Sequence, residues 1–201
     1  MPMGGGYGGG SGGMVCGGKG ARAGKEEGPP QGIIIMEMRN ENAGCIIGKG
    51  GSIISSIRKE TGARLEVREC CRFGGGERTV CIDGEPEQVD RCICEVFRAI
   101  AEKSSGGGMG MGQPLNVTLL VPANRMGTLI GRGGENITKA RSNSGATLKV
   151  DSTQQGAPLR EAAISGSPEQ IREAVRIIAQ IFFAEGGGKG AHRDRSRSPH
   201  R

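Results

Sequence analysis

Aromatic and imidazole side chains are scarce in this sequence. Aromatic residues make up 2% of its 201 residues, tryptophan is absent, and two histidines occur. The shortage of aromatic rings argues against binding platforms that stack flat ligands on the strands of a sheet. His192 and His200 both lie near the end of the chain, so the commonest acid–base group is missing from the rest of it. We therefore expect no catalytic site based on histidine.

Signals of common enzymes and of membrane proteins are also missing. No Gly-Lys pair is followed by Ser or Thr, as a Walker phosphate loop requires, and the histidines form no H-E-x-x-H zinc motif. No apolar run is long enough to cross a bilayer, and no hydrophobic signal core follows Met1. From these absences we expect an intracellular protein with no enzymatic activity, no catalytic residues and no membrane partner.

The seven cysteines do not have the spacing of a metal site. Cys70-Cys71 and Cys92-x-Cys94 lack the gap of two to four residues that zinc ligands usually show, and no histidine is near them. In an intracellular chain the thiols should stay reduced. We therefore expect small apolar core residues and a few exposed thiols, with no metal and no cofactor.

Glycine is abundant instead, with 39 residues concentrated in three places. Such tracts cannot bury enough apolar surface to offset chain entropy. The clusters therefore predict a disordered tail over 1–32, a linker over 102–114 and a disordered basic tail over 185–201, with domains over 33–101 and 115–184. The formal charge of +6 favours an anionic partner.

The two domain-sized stretches are copies of one another. Four blocks recur in the same order, and the distance between the copies shortens by one residue between the third and fourth block, which marks a loop there. The matching blocks are Gly44 with Gly127, Ile47–Ile54 with Ile130–Ile137, Gly62–Val67 with Gly145–Val150, and Ile82–Val89 with Ile164–Ile171. Matching order over four blocks indicates an internal duplication.

Each copy predicts the same order of elements, β-α-α-β-β-α. In the first copy, β-branched residues predict a strand over Ile33–Met38, and a short helix over Ala43–Ile47 leads into a glycine loop. A second helix over Ser52–Thr61 ends at a glycine, as helices often do. Two strands follow, and a long amphipathic helix begins at Pro86.

This order, with Ile-Gly-x-x-Gly-x-x-Ile between the first two helices of both copies, resembles the eukaryotic-type (type I) KH domain. The resemblance implies an α+β fold with two KH domains, each with a three-stranded antiparallel sheet packed on three helices. It also implies binding of single-stranded RNA, with the loop clamping about four nucleotides.

The chemistry of the loop is consistent with that function. Glycine lets the backbone approach a phosphate closely, and the following helix directs its free amides at the same place. Lys49 and Arg132 add a cation to each loop. The predicted phosphate-binding residues are Gly48, Lys49, Gly50 and Gly51 in the first copy, and Gly131, Arg132, Gly133 and Gly134 in the second.

The KH resemblance further implies a base-binding groove lined by aliphatic residues of the short helices and the second strand. The residues at the matching places are Ile46, Ile47, Ile54 and Leu65 in the first copy, and Leu129, Ile130, Ile137 and Leu148 in the second. We expect about half of these side chains to contact a base and the others to belong to the core.

Four arginines are candidates for reading the base. Arg58 and Arg141 fall at the same distance after their glycine loops, and Arg78 and Arg160 at the same distance before a later turn glycine. This arrangement is similar to that of the poly(C)-binding and heterogeneous nuclear ribonucleoprotein K group, and it implies a C-rich or pyrimidine-rich target. The alternative is that these arginines are solvated. The chain departs from that group in having two KH domains rather than three, and Glu161 next to Arg160 is expected to weaken reading by the second module.

The resemblance implies a messenger RNA-binding protein that acts in splicing, stability or translation, with other ribonucleoprotein components as partners. Two alternatives stay open, which are a single-stranded DNA binder in transcription and a KH-based protein-interaction scaffold. The final residues, Arg193–Pro199, resemble a short arginine–serine tail, with Ser196 and Ser198 as phosphorylation candidates. We expect the protein in the nucleus and the cytoplasm.

Overall fold

The computed structural model describes residues 32–69, 76–105, 114–151 and 157–186. The predictions for the tail before 32, for most of the linker, for the final tail, and for Ser196 and Ser198 lie outside the described residues. Within the described part, no helix is long and apolar enough to cross a membrane.

Two modules with the same order of elements follow one another along the chain. The first consists of β1 (Ile34–Arg39), α1 (Asn40–Ile47), a 3-10 turn (Lys49–Gly51), α2 (Ser52–Thr61), β2 (Arg64–Glu69), β3 (Glu77–Asp83) and α3 (Pro86–Ser105). The second consists of β4 (Leu115–Pro122), α4 (Ala123–Ile130), a 3-10 turn (Arg132–Gly134), α5 (Glu135–Ser144), β5 (Thr147–Val150), β6 (Leu159–Gly166) and α6 (Pro168–Gly186). The α+β class and the order β-α-α-β-β-α are as predicted.

The first helix of each module starts earlier than the sequence indicated. In the first module α1 begins at Asn40, directly after β1, and not at Ala43. Arg39 keeps an extended backbone and supplies no side-chain cap, so the usual helix-start signal is missing. The Asn40 N–H donates instead to the backbone carbonyl of Gly76, 3.1 Å away, which joins the start of α1 to the residue before β3.

The strands of the two modules form one sheet rather than two. The strand order is β2-β3-β1-β4-β6-β5, and all pairings are antiparallel. The modules join where β1 pairs with β4, with Met36 opposite Leu119 and Glu37 opposite Thr118. Each module contributes the three antiparallel strands that were predicted, and the β1–β4 pairing joins the two sets into one continuous six-stranded sheet.

The helices cover one face of this sheet and enclose the core. Alternate strand residues such as Ile34, Met36 and Leu119 point toward the helices and are fully buried. The helices α3 and α6 also pack against each other across the module boundary. There, Arg176 donates to both carboxylate oxygens of Asp90, over 2.6 and 3.1 Å. The two modules therefore share a hydrophobic core and a bidentate ion pair.

Candidate nucleic-acid interface

The glycine loop of the first module has a backbone that requires glycine. Gly48 has φ 72° and ψ 178°, a region that side-chain-bearing residues hardly enter. A Cβ on Gly48 would lie 2.5 Å from Cγ1 of Ile53. Gly50 has φ 62°, but a Cβ there would meet no atom within 4 Å. The loop therefore turns sharply at Gly48 and presents an open surface at Gly50.

The second module repeats this geometry closely. Gly131 has φ 76° and ψ 175°, and Gly133 has φ 63° and ψ 17°. A Cβ on Gly131 would lie 2.8 Å from Cγ of Asn136, whereas a Cβ on Gly133 would again meet no atom within 4 Å. Two loops of different sequence thus adopt one conformation.

Both loops open into a helix whose first turn has no side-chain cap. No side chain caps the N-terminus of α2 after Gly51, or that of α5 after Gly134. The first amides of a helix carry partial positive charge and seek an acceptor, so they form a ready site for an anion. Lys49 and Arg132 are exposed at the same place and add a full charge. The loop residues predicted to bind phosphate are thus brought together in both modules.

The predicted helix arginines are held against the edge strands of the sheet. Arg58 Nε donates to the backbone carbonyl of Leu65 over 2.7 Å. In the second module Arg141 donates to the carbonyl of Leu148 through Nε, at 3.0 Å, and Nη2, at 2.6 Å. Each guanidinium therefore lies between the second helix and the edge strand of its module, where the KH resemblance places the groove.

The predicted strand arginines differ between the modules. Arg78 Nε donates to Oδ1 of Asn40 over 3.2 Å. Arg160 instead turns to the neighbouring strand, where Nη2 donates to the backbone carbonyl of Asp151 over 3.0 Å. Its Nε is buried without a hydrogen-bond partner among the described residues.

Glu161, which is expected to weaken reading by Arg160, follows it directly on β6, and this effect stays a prediction. Adjacent residues of a strand point to opposite faces of the sheet, so the two side chains diverge. Among the described residues, the Asp151 carbonyl accepts a hydrogen bond from Arg160.

Burial divides the predicted aliphatic groove residues into three groups. Ile47 and Ile130 are half-buried and lie beside the loops, so their surfaces are available to a ligand. Ile54 and Ile137 are each 8% exposed. The other four are buried in the core and offer almost no side-chain surface to a ligand: Ile46, Leu65, Leu129 and Leu148. Of these, Leu65 and Leu148 contribute to the site through their carbonyls.

Sequence reasoning missed two polar features of the first module. One is Asn40, the partner of Arg78. The other is on β2, where Glu66 accepts from Arg64 and Arg68, each over 2.7 Å. Hydrogen bonds from Arg68 and then Arg64 lower the pKa of the Glu66 carboxyl. The alternating Arg-x-Glu-x-Arg pattern on one strand was the signal that could have revealed this cluster.

Three of the four described thiols are core residues. Cys45, Cys81 and Cys92 are buried, and Cys94 is half-buried. Burial raises the pKa of Cys92 to about 12, although a hydrogen bond with Thr61 offsets part of the rise. Within the described ranges, no three potential metal-ligating side chains lie together.

The fold and the two loops define the class of protein. Residues 33–97 and 116–180 both match the KH domain family, and the chain belongs to it. KH domains are RNA-binding modules whose Gly-x-x-Gly loop clamps the backbone of about four nucleotides. The chain accordingly contains two KH modules, each with a Gly-x-x-Gly loop.

Similar proteins contain the same domain within longer chains. The chain is 32% identical over 149 residues to the human Tudor and KH domain-containing protein, a match that covers 73% of this chain and 25% of that protein. It is also 32% identical over 159 residues to the human RNA-binding protein Nova-2, covering 69% of this chain and 32% of Nova-2. The matches thus span between a quarter and a third of these relatives.

Proposed function

We propose that this protein binds single-stranded, C-rich or pyrimidine-rich messenger RNA and regulates it after transcription, at splicing, stability or translation. The observation that carries the proposal is the pair of equivalent loops, each with an exposed cation and an uncapped helix start. The similarity to Nova-2, whose name describes an RNA-binding protein, supports the choice of RNA.

The preference for cytosine is the finer part of the proposal. A cytosine presents both an acceptor and a donor on its pairing edge, and an oriented arginine matches the acceptors of a base. In the first module Arg58 and Arg78 are each fixed by a hydrogen bond, one at each end of β2. Their positions are similar to those of the poly(C)-binding group, which favours the same target class.

The mechanism would act without chemical change of the RNA. The loop and the helix N-terminus would neutralise phosphates, and the half-buried Ile47 or Ile130 would contact a base from the side. We propose no enzymatic activity, and residence in the nucleus and the cytoplasm as the messenger RNA moves between them.

The decisive experiment reverses the loop charge at positions where the new side chains fit the fold. The variant Lys49→Asp/Gly50→Asp with Arg132→Asp/Gly133→Asp is suitable, because a Cβ at Gly50 or Gly133 meets no atom within 4 Å. Aspartate also tolerates a positive φ better than most residues. Substitution of Gly48 or Gly131 is avoided, since a Cβ there would clash with Ile53 or Asn136.

We expect affinity for a short C-rich RNA to fall by about tenfold or more per module, because a charge-assisted hydrogen bond contributes about 1.5–3 kcal/mol. A control with the same change of charge, placed on the helices that follow the loops, is Ser56→Asp/Lys59→Asp with Lys139→Asp/Asn143→Asp, at positions that are all exposed. Titrations with C-rich and A-rich RNA, and with DNA of the same sequences, measure the effect and the preference. If the loop variant binds as tightly as the control, the proposed mechanism is rejected.

A further inference from the structure

The start of the first helix is built alike in both modules except for one side chain. The Asn40 N–H donates to the carbonyl of Gly76 over 3.1 Å, and the Ala123 N–H donates to the carbonyl of Pro158 over 3.0 Å. Asn40 and Ala123 are each the first residue of the corresponding helix. The backbone junction is therefore the same, and the amide side chain is present in the first module alone.

That side chain decides where the strand arginine is held. The Asn40 carboxamide accepts from Arg78 Nε, a bond that uses neither Nη group of the guanidinium. In the second module, where alanine offers no acceptor, Arg160 bonds the Asp151 carbonyl through Nη2, and its Nε is buried without a partner among the described residues. The two guanidinium groups are thus held through different nitrogens, Nε in Arg78 and Nη2 in Arg160.

The position of Arg78 makes this difference relevant to ligand binding. Arg78 is opposite Met38 on β1 and Glu69 on β2, and it points to the helix side of the sheet, as Val80 does two residues later. It is half-buried, so part of the side chain reaches the surface beside the end of the second strand. A planar guanidinium discriminates bases only when its orientation is fixed, since its donors form a rigid fork.

We infer that Asn40 is a positioning residue that gives the first module its base discrimination by orienting Arg78, and that the second module, with Ala123, discriminates less. This inference rests on the proposed binding of single-stranded RNA by the first module. Asn40 acts through Arg78 and is not itself required to contact the RNA.

The test uses the full chain with the second loop inactivated by Arg132→Asp/Gly133→Asp. Dissociation constants are measured for four RNAs that differ only in a central run of C, U, A or G. We expect Asn40→Ala to reduce the ratio between the dissociation constants of the worst and the best RNA by about two- to tenfold, the range expected for one hydrogen bond. Affinity for the worst RNA should change little, and the melting temperature should be unchanged because Asn40 is exposed.

Two further variants separate positioning from a general structural role. Arg78→Ala should lower the same ratio, and adding Asn40→Ala to Arg78→Ala should lower it no further. The inference is overturned if the effects of the two substitutions multiply, if Asn40→Ala weakens all four RNAs equally, or if the ratio does not change.

The same titrations distinguish failure of this inference from failure of the proposed function. If binding depends on the loop but Asn40→Ala does not change the ratio of the dissociation constants, the inference is rejected and the proposed RNA binding is supported. A preference for a base other than cytosine rejects the proposed target, while the effect of Asn40 on that preference still decides the inference. Absence of binding by the wild-type chain rejects both. The variant Lys49→Asp/Gly50→Asp inactivates the first loop, so that binding by the second module can be measured alone. Its ratio between the best and the worst RNA should be smaller than that of the first module.

Discussion

At the scale of single residues, neighbours in sequence have different surroundings beside the glycine loop. Ile46 is fully buried in the core, while Ile47, the last residue of α1, is half-buried beside the glycine loop. Consecutive helix residues point about a hundred degrees apart, so one side chain packs inward and the next reaches the surface. Stability and recognition are therefore separable at adjacent positions.

Alanine substitutions at these two positions should separate the two roles. We expect Ile46→Ala to lower the free energy of unfolding by about 2–5 kcal/mol, because it leaves a cavity in the core. Ile47→Ala should cost less stability and should weaken RNA binding, since it removes apolar contact surface next to the loop. Urea denaturation and RNA titration on both variants measure this. Equal losses of stability at the two positions would contradict the assignment.

Cys92 provides a second prediction at this scale, concerning pH. Burial raises the pKa of its thiol to about 12, so the thiolate should be rare in the folded protein at pH 8. Alkylation of Cys92 should therefore be much slower than that of the half-buried Cys94, and should become fast in urea. Site-resolved mass spectrometry measures both rates. Equal rates at the two thiols in the folded protein would contradict the prediction.

The raised pKa of Cys92 also makes the stability of the fold depend on pH. A thiol whose pKa is higher in the folded than in the unfolded state favours the folded state fully below the unfolded pKa, near 9.0. This contribution should be lost progressively as the pH rises from there toward 12. A Cys92→Ala variant lacks this contribution, and its stability should depend less on pH over that window.

At the scale of elements, what could be predicted depended on whether the signal was local. The helix Ser52–Thr61 has the predicted bounds, because glycines flank both of its ends. The start of α1 was not predictable, since its first N–H is satisfied by Gly76, which is distant in sequence. The glycine loops were recognisable from spacing, whereas the burial of Ile46 and Leu65 depends on tertiary packing.

At the scale of the whole molecule, the two modules form a single unit that the linker sequence did not predict. The repeat indicates two copies, but the pairing of β1 with β4 depends on which strand edges meet in three dimensions. The groove arginines Arg58 and Arg141 lie at the opposite edge strands, β2 and β5. The relative position of the two proposed RNA sites therefore depends on the β1–β4 and α3–α6 contacts.

The ion pair between Asp90 and Arg176 makes the contact between the modules testable. Both side chains are about one-third exposed, so we expect Asp90→Ala to weaken docking by about 0.5–1 kcal/mol. Asp90→Arg should weaken it more, because two cations would then face each other, and Asp90→Arg/Arg176→Asp should restore it. Hydrogen exchange of amides in β1 and β4 measures docking, with Glu95→Ala, which removes a pair within α3, as the control. If β1 and β4 exchange no faster in Asp90→Arg than in Glu95→Ala, this pair does not hold the modules together.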